Sequence, residues 1–102
     1  MPKYTVLDAG EIEEALSDLP DWKVVGNKLS ATFHFSSFKN AIAFINLVAV
    51  EAEVQNHHPE WQNSFKKVEM QFCTQDVGNK ITDLDVKLAR FSSNAAFQTT
   101  KG

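Results

Sequence analysis

Leu29, Ala31, Phe33 and Phe35 alternate with Ser30, Thr32 and His34. That is the period of a strand with one face turned to a core. A short apolar run, Trp22 to Val25, precedes it, and Gly26-Asn27 between the two is a turn signal, so the pair predicts a hairpin. A second pair follows Pro59. Trp61, Asn63 and Phe65 lead to a predicted turn at Lys66-Lys67, and Val68, Met70 and Phe72 then alternate with Glu69, Gln71 and Cys73.

The remaining segments carry helical spacing. Ile12, Ala15, Leu16 and Leu19 step by three and four, Asp8 and Glu11 have capping-box spacing, and Pro20 stops the pattern, which predicts a helix over 9–18. Ser36-Ser37 offers an N-cap for a second helix over 38–54. One of its stripes is Phe38, Ala41, Ile42, Ile45, Val48, Ala49 and Ala52; another is Phe44, Leu47, Val50 and Val54. One stripe suffices to cover a sheet, so the second predicts a further packing surface, such as another subunit. Thr82-x-x-Asp85 opens a third helix over 82–97, with Ile81, Leu84, Leu88, Phe91 and Ala95 in step and the tail QTTKG frayed. Helix, two strands, helix, two strands, helix predicts an α+β domain with a four-stranded antiparallel sheet and its helices on one face.

At 102 residues the chain predicts a single domain over 1–102. Its 43% apolar and 23% charged residues argue against disorder. A net charge of −3 speaks against direct nucleic-acid binding, which needs a basic face. Cys73 is the one cysteine, which excludes an intrachain disulfide and a cysteine-rich zinc module. MPKYTVLDAG lacks a signal-peptide core, and the run 41–50 is too short to span a bilayer. A soluble, cytoplasmic protein with no membrane contact is expected.

The chemistry concentrates in EVQNHHPEW, residues 53–61. Glu53 and His57 are four apart and share a face if the second helix reaches His57. Pro59 disfavours helix at His58, which puts both imidazoles at a helix C-terminus, where carbonyls favour a protonated ring. Histidine exchanges protons near neutral pH, so the group suits general acid–base work on a small substrate. The plain alternative is an exposed histidine pair with no role. A metal site is disfavoured, because adjacent ligands fit one tetrahedral ion poorly and no second cluster supplies the rest. His34 reads as a solvated strand residue, Asp85 as a helix cap, Cys73 as a small filler or surface residue, and Trp22 and Trp61 as core.

Taken together, Leu19-Pro20-Asp21-Trp22, Phe33-His34-Phe35-Ser36-Ser37-Phe38-x-x-Ala41-x-x-Phe44, Val48-Ala49, Glu53-x-x-x-His57-His58-Pro59-Glu60-Trp61 and Asp85 to Phe91 resemble the pterin-4a-carbinolamine dehydratases, a family also described as dimerisation cofactors of a homeodomain transcription factor. The resemblance implies the same α+β fold and loss of water from a 4a-hydroxytetrahydropterin, in tetrahydrobiopterin recycling for an aromatic hydroxylase. It implies no metal and no organic cofactor. His57 and His58 would be the acid–base pair and Glu53 would orient or charge one of them. Pro59 and the segment Thr74, Gln75, Asp76 and Val77 would hold the pterin. It also implies a homodimer or homotetramer, joined through sheet edges and the long helix. The alternative it carries is a non-catalytic coactivator or pterin-binding module with a hydroxylase or transcription regulator as partner, with a nuclear location then open. One departure stands out: the family's third histidine falls at Gln75, which can hydrogen-bond but cannot change protonation near neutral pH. The following loop is also one residue longer than the family pattern before Asp85.

Overall fold

The computed structural model describes residues 4–101, with the side chains of 76, 100 and 101 excepted. Its elements are α1 (Ala9–Leu16), β1 (Lys23–Val25), β2 (Lys28–His34), α2 (Phe38–Gln55), β3 (Glu60–Ser64), β4 (Lys67–Phe72) and α3 (Asp83–Lys101), with a 3-10 turn at Gln75–Val77 before α3. The strands form one antiparallel sheet in the order β1-β2-β4-β3. This is the predicted α+β architecture, with three helices and a four-stranded sheet.

Register explains how the core forms. Leu29 pairs with Phe72, Ala31 with Met70 and Phe33 with Val68. All six are buried, so one sheet face is continuously apolar. Ser30, Thr32, Glu69 and Gln71 occupy the other face. Onto the apolar face α2 lowers Ala41, Phe44, Val48 and Ala52, a line stepping by three and four. The Phe44 ring lies 5.2 Å from Phe33 and 4.9 Å from Phe35, centroid to centroid. Trp22 stacks at 4.8 Å on Phe72 and donates its indole N–H to Ser93 of α3, so strand and helix layers are tied by one side chain.

The structure revises several sequence expectations. Phe44 belongs to the buried line of α2, whereas Phe38 is exposed, together with Leu47, Val50 and Val54. Ala41, Val48 and Ala52 of the first stripe are buried as expected, and Phe44 joins them from the second. α1 ends at Leu16, where the Ser17 hydroxyl and N–H both turn to the Glu14 carbonyl. α3 continues to Lys101, so Gln98 to Lys101 are helical rather than frayed. The β3–β4 turn is Phe65-Lys66, with Phe65 at φ 56° and exposed. Asn63 fixes that turn by donating from Nδ2 to the Phe65 and Lys67 carbonyls. No helix among the described residues is long and apolar enough to cross a membrane.

Candidate active site

Three chain ends converge on one edge of the sandwich: the C-terminus of α2, the C-terminus of β4 and the N-terminus of α3. α2 stops because Asn56 takes the left-handed conformation, φ 52° and ψ 45°, and its N–H returns to the Ala52 and Glu53 carbonyls. Asparagine is among the few side chains that accept this conformation readily. The stop falls two residues earlier than Pro59 alone suggests. His57 therefore leaves the helix, with its own N–H on the Ala52 carbonyl at 2.9 Å, and no longer shares a helical face with Glu53.

The two imidazoles consequently part company. His57 turns inward and is 7% exposed. Its Nε2 lies 2.5 Å from Asp85 Oδ1. His58 turns outward, and its Nε2 lies 2.9 Å from Glu53 Oε1, with both side chains largely exposed. Glu53 thus pairs with His58 and not with His57, which the four-residue spacing had favoured. The Nε2 of each ring is thus taken by a carboxylate.

Asp85 is the residue that sequence reasoning undervalued. It does cap α3, accepting the Thr82 N–H at 2.8 Å. It is also fully buried and holds His57. Its Oδ2 further accepts the Thr74 hydroxyl at 3.0 Å, and Thr74 in turn lies 2.7 Å from the Thr82 hydroxyl, which accepts the Leu84 N–H. A buried carboxylate is costly unless it is surrounded by donors, and here backbone, hydroxyl and imidazole all serve. Thr5 and Leu7 bond to Asp83 and Ile81 on the segment that leads into this network, which anchors α3 at its start.

His57, His58, Asn56, Cys73, Thr74 and Gln75 line one cleft of about 120 Å³. Enclosing ligand pockets are typically roughly 300–1,000 Å³, so a ring system would lie against this cleft rather than inside it. Of the residues singled out from the sequence, His57, His58, Thr74 and Gln75 come together here. Glu53 does not line the cleft and touches His58, which does. Pro59 and Val77 lie next to lining residues without lining the cleft, and the Asp76 side chain lies outside the described residues. Asn56, Cys73 and Asp85 were not singled out for the site. Among the described residues no group of three or more His, Cys, Asp and Glu is placed to hold a metal ion.

Burial pushes the Cys73 thiol above its ordinary value, with Lys28 pulling weakly the other way. The thiolate is the reactive form, so alkylation by iodoacetamide is expected to be slower in the folded chain than in urea at pH 8. The folded-state rate should still be climbing with pH where the unfolded thiol has levelled off. Because the folded value is the higher one, stability from this group is complete below the unfolded value and falls as pH rises through the folded one. Equal rates in both states, measured by mass spectrometry, would contradict the buried placement.

The family model for pterin 4 alpha carbinolamine dehydratase matches residues 5–95. A protein of Opitutus terrae, provisionally named pterin-4-alpha-carbinolamine dehydratase, is 41% identical over 84% of this chain and 89% of its own length. One of Thermosynechococcus vestitus with the same provisional name is 42% identical over 88% of this chain and 94% of its own length. A crystal structure of a transcriptional coactivator/pterin dehydratase from Brucella melitensis superposes with a TM-score of 0.86 at 34% identity, covering 90% of this chain and 99% of that one. Fold and sequence agree, and the chain belongs to the pterin-4a-carbinolamine dehydratase family.

Proposed function

We propose that the protein dehydrates a 4a-hydroxytetrahydropterin, of the tetrahydrobiopterin type, to the quinonoid dihydropterin in the cytoplasm. The observation that carries this reading is the pair of imidazoles, each backed by a carboxylate, lining one cleft beside Gln75. In the reaction the C4a–O bond breaks, one imidazolium protonates the departing hydroxide to water, and the other imidazole takes the proton from N5. The N5 electrons form the new C=N bond. One proton is given and one is taken, so the protein ends in its starting charge state. Positioned acid–base groups of this kind are typically worth about 10²–10⁴ in rate. Thr74 and Gln75 supply polar groups for the pterin edge, and the ring's own nitrogens supply the electrons without an added cofactor.

The test is a stopped-flow assay of 4a-hydroxytetrahydropterin decay. Purified protein is expected to accelerate it, and the double variant His57→Ala/His58→Ala to lose the acceleration; a double variant as active as its parent would remove the assignment. Gln75→His is expected to raise turnover by about tenfold only, since two imidazoles already act and such groups are not additive. An inert parent that stays inert as Gln75→His and does not bind the pterin would favour a second reading, a coactivator or oligomer scaffold. One observation supports that reading: Leu47, Val50 and Val54 are 44%, 66% and 74% exposed along one face of α2, an apolar surface suited to a second copy or a protein partner. Val50→Glu should then lower the sedimenting mass.

A further inference from the structure

Behind Asp85 stand two buried threonines, Thr74 and Thr82, whose hydroxyl protons can be ordered from the distances. The Thr82 hydroxyl oxygen accepts the Leu84 N–H at 3.2 Å and lies 2.7 Å from the Thr74 oxygen, but 3.5 Å from Asp85 Oδ2. The Thr74 oxygen lies 3.0 Å from the same Oδ2. Each hydroxyl has one proton to give. If Thr74 gave its proton to Thr82, its lone pairs would face the carboxylate across 3.0 Å, and Thr82 would keep only the long contact. The other order satisfies every short contact: Leu84 N–H to Thr82, Thr82 to Thr74, and Thr74 to Asp85. Donors aligned in one direction polarise one another, the more so out of water.

The direction matters at the carboxylate. Oδ2 takes the Thr74 hydroxyl and the Thr82 N–H, which leaves Oδ1 to His57 Nε2. The first side chain of this relay is held from the far end of the sequence. Val6 bridges to Thr82, Leu7 donates its N–H to the Ile81 carbonyl, and Thr5 gives its N–H to Asp83 Oδ1 while its carbonyl accepts the Asp83 N–H. Thr82 itself is not among the residues that line the cleft, so its loss removes no contact to a ligand there.

We propose that Thr82 is a positioning residue in the dehydration, a role that rests on the dehydratase reading. Its hydroxyl directs the Thr74 proton onto Asp85 and so holds that carboxylate with Oδ1 turned to His57.

The test compares Thr82→Val, which keeps the shape and loses the hydroxyl, with Thr82→Ser, which keeps the hydroxyl. Misplacement by about 1 Å can cost about 10²-fold in rate, and a loosened carboxylate is a smaller error. In Thr82→Val, kcat for the 4a-hydroxytetrahydropterin should fall by about tenfold with KM within about twofold, and Thr82→Ser should restore most of it. In an Asp85→Asn background, Thr82→Val should add less than about twofold, because a residue that acts through another adds little once that one is replaced. A second readout needs no turnover. The His57 Nε2 proton, followed by ¹⁵N-edited NMR, should exchange with solvent about tenfold faster in Thr82→Val relative to the Val48 and Met70 amides, whereas general loosening would speed all three alike. An inert native protein would therefore remove the dehydratase reading, and the exchange ratio would still decide whether the relay exists. Native kcat in Thr82→Val, an equal loss in Thr82→Ser, a full further loss in the Asp85→Asn background or an unchanged exchange ratio would each overturn the proposal. Should Thr82→Val not fold, Thr82→Ala against Thr82→Ser makes the same comparison.

Discussion

Asp85→Asn is expected to lower turnover of a 4a-hydroxytetrahydropterin by about 10²–10⁴-fold, a range set by other enzymes in which a carboxylate behind a catalytic histidine was replaced by its amide. The physical cause is a reversed hydrogen bond. Asp85 Oδ1 can only accept from His57 Nε2, 2.5 Å away, which places the ring proton on Nε2 and leaves Nδ1 free to take or give one. In the variant, the amide oxygen is needed by the Thr82 N–H and the Thr74 hydroxyl, which now meet at Oδ2. The amide NH₂ is then left facing Nε2, so the neutral ring must carry its proton on Nδ1, the wrong nitrogen for a base. Volume and most donors are unchanged, so the fold should survive. Two readouts separate positioning from mere structure: kcat/KM by stopped flow, and ¹⁵N shifts of the imidazole, which report the tautomer directly. Glu53→Gln is the contrast, since its pair with His58 is solvent-exposed and such pairs are worth about 0–1 kcal/mol, or roughly fivefold in rate at most. Full turnover in a folded Asp85→Asn protein would remove Asp85 from the mechanism.

Much of this architecture is legible in the sequence because it is local. The alternation from Leu29 to Phe35, the capping boxes at Asp8 and Thr82 and the three-four steps of α2 and α3 each depend on neighbours within a turn or a strand. Element order then sets the fold class. Within the site, His57-His58 marked the place locally, and Thr74 and Gln75 entered only through the family resemblance. What escaped was the pairing across 28 residues between His57 and Asp85, because no periodicity relates positions that meet only after the sheet has formed. The Asp85 capping role was visible and correct, and it hid the second role, since a carboxylate has two oxygens and a cap needs one. Asn56 escaped for a different reason. Pro59 looked sufficient to end α2, but a left-handed residue three positions earlier ends it first, and this single conformation decides that His57 turns inward while His58 turns out.

Phe44→Ala is expected to destabilise the protein by about 3–5 kcal/mol, against a total of about 5–15 kcal/mol for a domain of this kind. Phe44 is fully buried and touches Phe33 and Phe35, one from the sheet and one from the strand's exit. Truncation loses the ring's transfer energy and leaves a hole that these stiff neighbours cannot collapse into. In urea the midpoint should fall by roughly 2–3 M with the slope little changed. The effect reaches the cleft as well, because α2 is the beam that carries Asn56, His57 and His58 beyond its end. Well below the new midpoint the remaining folded molecules should keep their His57–Asp85 pair, so turnover per folded molecule should fall far less than in Asp85→Asn. Val50→Ser, on the exposed face of the same helix, should stay within about 0.5 kcal/mol of the parent under conditions where the chain is monomeric. A loss below about 1 kcal/mol for Phe44→Ala would mean that α2 is not seated on the sheet through Phe44, and the orientation of the helix, with the placement of both histidines, would have to be redrawn.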